Sequence, residues 1–296
     1  MTRSRPSALL APTLKQSQVS PFQVSPSQLL QRQFSQPQAA QQPILCVSGL
    51  TKRFAATTAV ADVSFDLWEG EVLALVGESG SGKSTVLNCI SGQLRPEAGQ
   101  VTFRTRDQGL IDVHALTEAR RRLLARTDWG FVHQQASDGL RMRVSAGANV
   151  GERLMAIGDR NYGRIRRQAS HWMERVELAA SLIDESPMTF SGGMRQRLQI
   201  ARNLVTRPRL VLLDEPTSGL DVSVQAKLLD LLRSLTRQLR QSAILVTHDL
   251  AVARLLADRM LVMHRGRIVE SGLTDQVLDD PQHPYTQLLV SSVLPP

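Results

Sequence analysis

The eight residues Gly77–Ser84, with the sequence G-E-S-G-S-G-K-S, limit what this chain can fold into more than any other stretch. They follow the apolar run Val72–Val76, which predicts a buried strand, and precede Thr85–Ser91, which predicts the first turns of a helix. A strand, a glycine-rich loop and a helix in this order make a G-x-x-x-x-G-K-S match a specific prediction of a phosphate-binding loop.

Each residue type in this loop has a physical reason to be there. Gly77, Gly80 and Gly82 let the backbone curl so that several N–H groups point at one anion. The helix N-terminus adds unpaired amides and a partial positive charge. Lys83 supplies a mobile charge for the outer phosphates, and the Ser84 hydroxyl can bind Mg²⁺. An ordinary turn would explain the glycines but not a lysine and a serine at these two positions.

The length of 296 residues is enough for a large buried core, as one domain or as one domain with an additional lobe. No stretch of 18 consecutive apolar residues occurs, so the sequence predicts no segment that spans a membrane by itself. Cys46 and Cys89 lie far apart in apolar surroundings. This favours reduced thiols in a cytosolic protein over a disulfide.

The net charge of +8 is concentrated in two parts of the chain. Residues 1–43 contain four basic and no acidic side chains, and residues 115–200 contain 14 arginines, no lysine and nine acidic side chains. Such a basic excess suits nucleic acid, acidic lipid or an acidic protein partner. Because aromatic residues make up only 4% of the chain, we expect no nucleic-acid surface. Residues 115–200 form either a docking face or a solvated face.

Residues 1–43 are rich in Gln, Ser and Pro and show no helical period, which predicts a disordered tail. The tail loosely resembles a transit peptide because it lacks acidic residues. Its six prolines, however, oppose the amphipathic helix that such a peptide needs. A translation start assigned too far upstream is an alternative explanation that the sequence leaves open.

From Ile44 the pattern becomes that of a folded α/β domain, which we expect to extend over residues 44–280. Strands are predicted at Ile44–Val47 and Val63–Leu67, and a hairpin or short edge strands at residues 99–113. Residues 115–192 show helical spacing and predict a helical lobe inserted into the domain. The helices predicted in this lobe are residues 115–126, 144–157 and 164–179.

Alternating strands and helices in the rest of the domain predict a mostly parallel sheet covered on both faces. The strands predicted there are residues 209–214, 243–247, 260–263 and 267–269, of which the last two form a hairpin. The predicted helices are residues 196–204, 222–239 and 249–257. Residues 281–296 are expected to form a C-terminal tail helix.

Acidic residues end one of these strands. Asp214 and Glu215 follow four apolar residues, at the carboxyl edge of the sheet where open α/β folds bind ligands. Asp214 is placed to hold Mg²⁺, directly or through water, and Glu215 to polarise an attacking water. His248 follows another buried strand, and its imidazole can hydrogen-bond a transferring phosphate. A solvated Asp-Glu-Pro turn is the alternative, which the upstream phosphate-binding loop makes weaker.

The turn Ser191-Gly192-Gly193 precedes a predicted helix and is a second helix start suited to an anion. One nucleotide does not need two phosphate cradles in the same chain. Two chains arranged head to tail would each complete the other's site. A serine N-cap followed by a flexible glycine pair is the alternative.

Together these motifs resemble the nucleotide-binding domain of ATP-binding cassette (ABC) proteins, over about Ile44–Gly272. The resemblance implies a P-loop NTPase of ABC type. This is an α/β fold with a mostly parallel sheet core, an N-terminal antiparallel β portion and an inserted helical lobe. It also implies that ATP and Mg²⁺ are bound, with two copies sandwiching two nucleotides.

The resemblance also implies a role for each matching residue. The implied catalytic residues are Glu215 as base, His248 as switch histidine and Gln134 as the Q-loop glutamine. Metal contacts are implied for Ser84, Gln134 and Asp214. Contacts to ATP are implied for Phe54, Gly77, Glu78, Ser79, Gly80, Ser81, Gly82, Lys83, Ser84, Thr85, Ser191, Gly192, Gly193 and Asp221. Phe54 stands at the adenine-stacking position, where the family more commonly has Tyr.

Other stretches indicate branches of this family. Asp221–Gln225 and the C-terminal His283-Pro-Tyr-Thr286 look like the branch of dipeptide, oligopeptide and nickel importers. The segment after Gln134 departs from that branch because it lacks the usual Asn-Pro-like stretch. With Trp129–His133 and the ending Asp279–Ser292, it is similar to the ATP-binding subunits of bacterial carbon–phosphorus lyase systems, which act in phosphonate breakdown.

We therefore expect a cytoplasmic ABC ATPase that works as a homodimer and drives the carbon–phosphorus lyase core, with or without a second ABC subunit. One alternative is the ATPase of an importer for peptides, nickel or phosphonates, peripheral to the inner membrane. Another is a non-catalytic clamp that only binds ATP. The presence of Glu215, Gln134 and His248 opposes the clamp.

Overall fold

The structure is a computed structural model that describes residues 42–293. The predicted disordered tail, apart from its last two positions, lies outside the described residues. The strands are β1 (Leu45–Phe54), β2 (Thr57–Leu67), β3 (Val72–Val76), β4 (Ala98–Thr105), β5 (Gly109–Asp112), β6 (Trp129–Val132), β7 (Leu210–Asp214), β8 (Ser242–Thr247), β9 (Arg259–His264) and β10 (Arg267–Leu273).

The α-helices of the described residues all follow β3 in the sequence. They are α1 (Lys83–Ile90), α2 (Glu118–Thr127), α3 (Ala136–Gly139), α4 (Ala146–Ala156), α5 (Tyr162–Arg175), α6 (Gly192–Leu204), α7 (Val222–Leu239), α8 (Leu250–Leu256), α9 (Thr274–Asp279) and α10 (Pro284–Val293). Helix α10 lies within the range 281–296 where a helix was predicted, and residues 294–296 are outside the described part.

The larger sheet has the strand order β10-β9-β3-β8-β7-β6, and its neighbours are parallel except for β9 and β10. Its central strands β3 and β8 are buried at every residue. Leu73 and Leu75 on one face pack in the cluster that includes α1 and the second sheet, while Val211 and Leu245 on the other face pack with helices. Burial on both faces explains why these strands are continuous apolar runs.

The smaller sheet is antiparallel, with the order β2-β1-β4-β5. The hairpin predicted at residues 99–113 is confirmed, since β4 pairs with β5 from Thr102–Asp112 to Thr105–Gly109. The prediction that the first strand ends at Val47 is wrong, because β1 continues to Phe54. The register of β1 shifts after Val47, where Gly49 has a φ of 62°. A bulge of this kind lets a strand continue past an irregular residue.

Helices α4, α5 and α6 form the lobe and enclose buried side chains such as Trp172 and Leu198. The predicted range 115–192 is not helical throughout, because Trp129–Val132 (β6) pairs in parallel with β7 at the edge of the larger sheet. Four residues are too short to show a period, so only the pairing with β7 identifies this strand.

The strand order places three loops side by side. Strands β3, β8 and β7 are parallel neighbours, so their carboxyl ends meet at one edge of the sheet. Gly77, His248 and Glu215 each directly follow one of these strands. The fold therefore gathers the predicted phosphate, histidine and acidic loops, as expected for open α/β sheets.

Candidate nucleotide site

The loop after β3 has the backbone of a phosphate cradle. Gly77, Gly80 and Gly82 have φ angles of 145°, 81° and 105°, in a region that residues with side chains rarely adopt. A Cβ atom at Gly77 would overlap the carbonyl oxygen of Met263, and one at Gly82 would overlap the carbonyl oxygen of Ala59. The outer side of the loop is thus packed against other backbone, and only glycine fits at these two positions.

Helix α1 begins directly after this loop. Its N-cap is Gly82 and no side chain caps its first turn, so amides at the helix start are available to an anion. Lys83 is 4% exposed, and its ammonium donates to the carbonyl oxygens of Gly77 (2.8 Å) and Glu78 (2.8 Å). Burial lowers the pKa of Lys83, against an opposing effect of nearby carboxylates. The lysine is held over the loop, where phosphate oxygens could replace the two carbonyls.

Ser84 and Asp214 form a pair of oxygen ligands beside the loop. The Ser84 hydroxyl donates to Oδ1 of Asp214 (3.0 Å), which joins the start of α1 to the end of β7. Burial raises the pKa of Asp214, and the hydrogen bond from Ser84 opposes this shift. A cation at this pair would favour the ionised carboxylate.

The donor set fits Mg²⁺ brought in with a nucleotide. Among residues 42–293, no group of three or more His, Cys, Asp or Glu side chains could hold a metal alone. Mg²⁺ commonly binds through one or two carboxylates together with waters and substrate phosphates. Ser84 and Asp214 supply the protein part of such a site.

The carboxylate of Glu215 is contacted from two other loops. His248 Nδ1 lies 3.1 Å from Oε1, and Gln134 Nε2 donates to Oε2 at 3.4 Å. Gln134 Nε2 also donates to the Ser218 hydroxyl (3.2 Å). Glu215 has a φ of 43°, a conformation that costs a residue with a side chain about 1–2 kcal/mol. Its amide donates to the Val246 carbonyl (2.9 Å), so strand β8 helps to hold it there.

The structure therefore brings together the three residues predicted to be catalytic. The Glu215 side chain is 18% exposed and that of His248 is 60% exposed, so the carboxylate is sheltered while the imidazole faces outward. A carboxylate held by an imidazole and an amide can accept a proton from a water that enters this edge of the sheet.

The turn Ser191–Gly193 lies at the start of α6. The Ser191 hydroxyl caps this helix by accepting from the Met194 amide (3.3 Å), and a Cβ at Gly193 would overlap a methyl group of Val224. Ser191 and Gly192 are exposed. No hydrogen bond in the described part of the chain joins this turn to the loop after β3. The single chain thus leaves these two predicted anion sites apart.

The remaining predicted contacts are distributed around the loop. Phe54, at the end of β1, is 48% exposed, and Lys52 Nζ lies 5.5 Å from the centre of its ring. Asp221 is the exposed N-cap of α7 and makes no capping hydrogen bond. On the loop and in the first turn of α1, the exposed residues are Glu78, Ser79, Gly80 and Ser84. Ser81 and Lys83 are buried, and Gly82 and Thr85 are half-buried.

Two residues that contact the site or its neighbouring backbone were not predicted from the sequence. The Tyr285 hydroxyl accepts a hydrogen bond from the Glu78 amide (3.1 Å), although the His-Pro-Tyr-Thr stretch was noted only as a mark of a family branch. Gln199 binds the backbone of His133, next to Gln134. The signal for Gln199 was present, since polar residues at positions 196, 199 and 203 recur at helical spacing and therefore lie on one face of the helix.

The cradle between β3 and α1 and the acidic end of β7 place the chain among the P-loop NTPases. The sequence model described as ABC transporter matches residues 60–218, which is more than half of the chain. This chain therefore belongs to the ABC transporter family, and it is an ABC-type ATPase that binds and hydrolyses ATP.

The chain is similar in sequence to proteins of two kinds of system. The chain is 62% identical over 253 residues to the putative phosphonates utilization ATP-binding protein PhnK of Escherichia coli K12, covering 86% of this chain and 98% of that protein. It is 39% identical over 236 residues to the oligopeptide transport ATP-binding protein OppF of Salmonella typhimurium, covering 79% of this chain and 69% of that protein.

Solved structures agree with the fold. A dimeric post-hydrolysis state of the ATP-binding cassette MJ0796 bound to ADP and Pi matches with a TM-score of 0.69 and 30% identity, over 78% of this chain and 98% of that one. CbiO1 from Clostridium perfringens matches with a TM-score of 0.70 and 28% identity, over 86% and 97%. The predicted fold class is confirmed. None of the helices within residues 42–293 has the length and apolar character needed to cross a membrane.

Proposed function

We propose that this chain is the ATP-hydrolysing subunit of a phosphonate-utilization system and that it couples hydrolysis to a carbon–phosphorus lyase complex in the cytoplasm. The 62% identity to the E. coli phosphonates utilization protein supports the first part. The observation that best supports the ATPase assignment is that Gln134 and His248 both contact the carboxylate of Glu215.

In this proposal the amides of residues 77–85 and the ammonium of Lys83 bind the phosphates of ATP, and Phe54 stacks on the adenine. Ser84 and Asp214, together with Gln134 as the family resemblance implies, would hold the Mg²⁺ that accompanies the nucleotide. The metal ion would neutralise charge on the phosphate oxygens.

Glu215 acts as the general base by accepting a proton from the attacking water at its carboxylate. His248 holds Oε1 of this carboxylate and Gln134 holds Oε2, so the two oxygens keep a fixed direction. Most of the gain in rate comes from positioning and from charge neutralisation.

We propose that the active form is a homodimer. Ser191 and Gly192 are exposed at the start of α6, so their amides are accessible to a nucleotide bound by a second copy. Asp221 is exposed at the start of α7 and would lie at the same interface. The dimeric MJ0796 structures, at about 30% identity, support this arrangement.

The segment after Gln134 supports the proposed coupling surface. Asn149 is fully buried, and its side chain accepts from the Arg141 amide (2.8 Å) and donates to the carbonyls of Arg141 (3.1 Å) and Val144 (3.0 Å). This fixes the loop from Arg141 to Val144 and leaves Arg141 and Arg143 exposed. Two exposed arginines on a fixed backbone segment next to the glutamine loop suit an acidic surface of a partner. Arg141 already lies 3.7 Å from the carboxylate of Glu152, so it can pair with acidic groups at this surface.

Affinity purification from cells grown on a phosphonate as sole phosphorus source tests this proposal. We expect the tagged chain to retain the lyase core, and the double variant Arg141→Glu, Arg143→Glu to lose it. The matched control is Arg167→Glu, which reverses an exposed arginine on α5 of the same lobe. Retention of the core by the double variant would contradict the coupling surface.

A second candidate is the ATPase of an importer for peptides, nickel or phosphonates. The 39% identity to the oligopeptide transport protein and the His283–Thr286 stretch favour it. The same purification distinguishes the two, because recovery of a membrane permease instead of the lyase core would establish the importer.

A further inference from the structure

The start of helix α10 is tied to strand β10. The Glu270 carboxylate accepts hydrogen bonds from the amides of Gln282 (2.8 Å) and His283 (3.0 Å). The His283 ring then accepts from the amide of Tyr285 through Nδ1 (3.1 Å). These bonds fix the backbone at Tyr285 and therefore the direction in which its side chain points.

Tyr285 reaches from this anchored turn into the nucleotide site. It is 9% exposed and packs in a cluster with Val76 and Leu250. Its ring centre lies 3.9 Å from that of His264 at the end of β9, and its hydroxyl accepts from the Glu78 amide (3.1 Å). The C-terminal helix therefore contacts the phosphate-binding loop directly, across 207 residues of sequence.

Glu78 is held from both sides. Its amide is bound by Tyr285 and its carbonyl accepts from the Lys83 ammonium (2.8 Å). The preceding Gly77 is packed against the carbonyl of Met263. Farther along the loop, a Cβ at Gly80 would meet no atom within 4 Å, so no other residue of the protein packs against that side of the loop. The first two residues of the loop, Gly77 and Glu78, are thus held in place, whereas Gly80 in its middle is not packed against other residues.

We propose that Tyr285 is a positioning residue for the phosphate-binding loop, and that its hydroxyl pre-orders the loop for nucleotide. A loop that is already ordered loses less conformational freedom when the phosphates bind, which raises affinity. Tyr285 contacts none of Glu215, Gln134 and His248 by a hydrogen bond, so the hydroxyl acts on binding and not on the chemical step.

The variant Tyr285→Phe in the full-length protein tests this role, because it keeps the ring against His264 and removes only the hydroxyl. From the usual strength of one hydrogen bond, we expect KM for ATP and Kd for MgADP to rise about three- to tenfold. We expect kcat at saturating ATP to change by less than about twofold, since the Glu215 cluster is untouched. Tyr162→Phe is the matched control, because Tyr162 is the other tyrosine and is 73% exposed on α5.

Hydrogen exchange separates this role from a general effect on stability. In the nucleotide-free variant, fragments covering residues 77–85 should exchange faster than in the wild type, with the thermal midpoint lowered by no more than about 4 °C, as expected for the loss of one hydrogen bond in a domain of this size. Unaltered nucleotide affinity, or unaltered exchange in this loop, would overturn the proposal. A fall in kcat together with a larger fall in the thermal midpoint would also overturn it, because that pattern belongs to a residue that only supports the fold.

Discussion

The side chain of Gln199 hydrogen-bonds both the amide and the carbonyl of His133. Oε1 accepts from the His133 amide (2.6 Å), and Nε2 donates to the His133 carbonyl (3.2 Å). Gln199 is fully buried on α6, the helix that begins at the Ser191–Gly193 turn, and His133 directly precedes Gln134. The turn proposed to contact a second nucleotide and the glutamine that donates to Glu215 are thus linked through helix α6 and these two hydrogen bonds.

Replacing Gln199 by Met should uncouple these two parts. The thioether fills a similar volume but leaves the His133 amide unpaired, which costs about 1–3 kcal/mol for a buried group that finds no water. The His133 carbonyl keeps the hydrogen bond from Gln196 Nε2 (3.2 Å). We expect a lower urea midpoint and a slower ATP turnover, with nucleotide affinity retained because residues 77–85 are unchanged. Gln238→Met, at an exposed position of α7, should change stability by less than about 0.5 kcal/mol. Equal effects of the two variants would contradict the role of the Gln199 contact.

Glu215→Gln should nearly abolish ATP hydrolysis while leaving ATP binding intact. The amide keeps the shape of the side chain but cannot take a proton from water, so the base is lost. Size-exclusion chromatography with ATP should then show a stable dimer, since the bound nucleotides are not consumed. Turnover of the variant at the wild-type rate would contradict the role of Glu215 as the general base.

Gly82→Ala should destroy nucleotide binding. The added methyl group would overlap the Ala59 carbonyl, and the position has a φ of 105°, so both the contact and the backbone oppose a side chain. Gly109→Ala is a matched control in the β4–β5 turn, where φ is 73° and no atom lies within 4 Å of the added methyl. We expect the control to lose about 1 kcal/mol of stability and to bind MgADP normally. Normal MgADP affinity in Gly82→Ala would contradict the cradle.

The buried carboxyl of Asp214 should make stability depend on pH. Burial raises its pKa in the folded protein, so the folded state binds this proton more tightly than the unfolded chain does. The stability from this group is present at acid pH and is lost as pH rises from the ordinary value of 3.8 through the raised pKa. Nucleotide-free Asp214→Asn should therefore be more stable than wild type at pH 7 in urea unfolding.

This advantage of Asp214→Asn should shrink as the pH falls towards 3.8, because wild-type Asp214 becomes protonated and is then uncharged like the asparagine. The variant should also lose Mg²⁺-dependent hydrolysis. A stability difference that stays constant with pH would show that burial of the charge is not its origin.

Much of the fold was predictable because its signals are local. The strand, glycine loop and helix around residues 72–90 each depend on neighbouring residues, and the α7 helix matches its predicted bounds. Strand β6, the second half of β1 and the first half of β2 (residues 57–62) were not predicted. Strand β6 has four residues, and the pairing of β1 with β2 is irregular in these halves, so none of the three shows the period of a regular strand.

The sequence by itself determined the family, the class of ligand and the residues of the phosphate loop, because adjacent residues carry that chemistry. The tertiary structure alone decided which distant groups meet. Glu78 and Tyr285 are 207 residues apart, Gln134 and Glu215 are 81 apart, and His133 and Gln199 are 66 apart. Such contacts depend on the order of strands in the sheet and on the packing of helices against it, and no pattern within one segment encodes either.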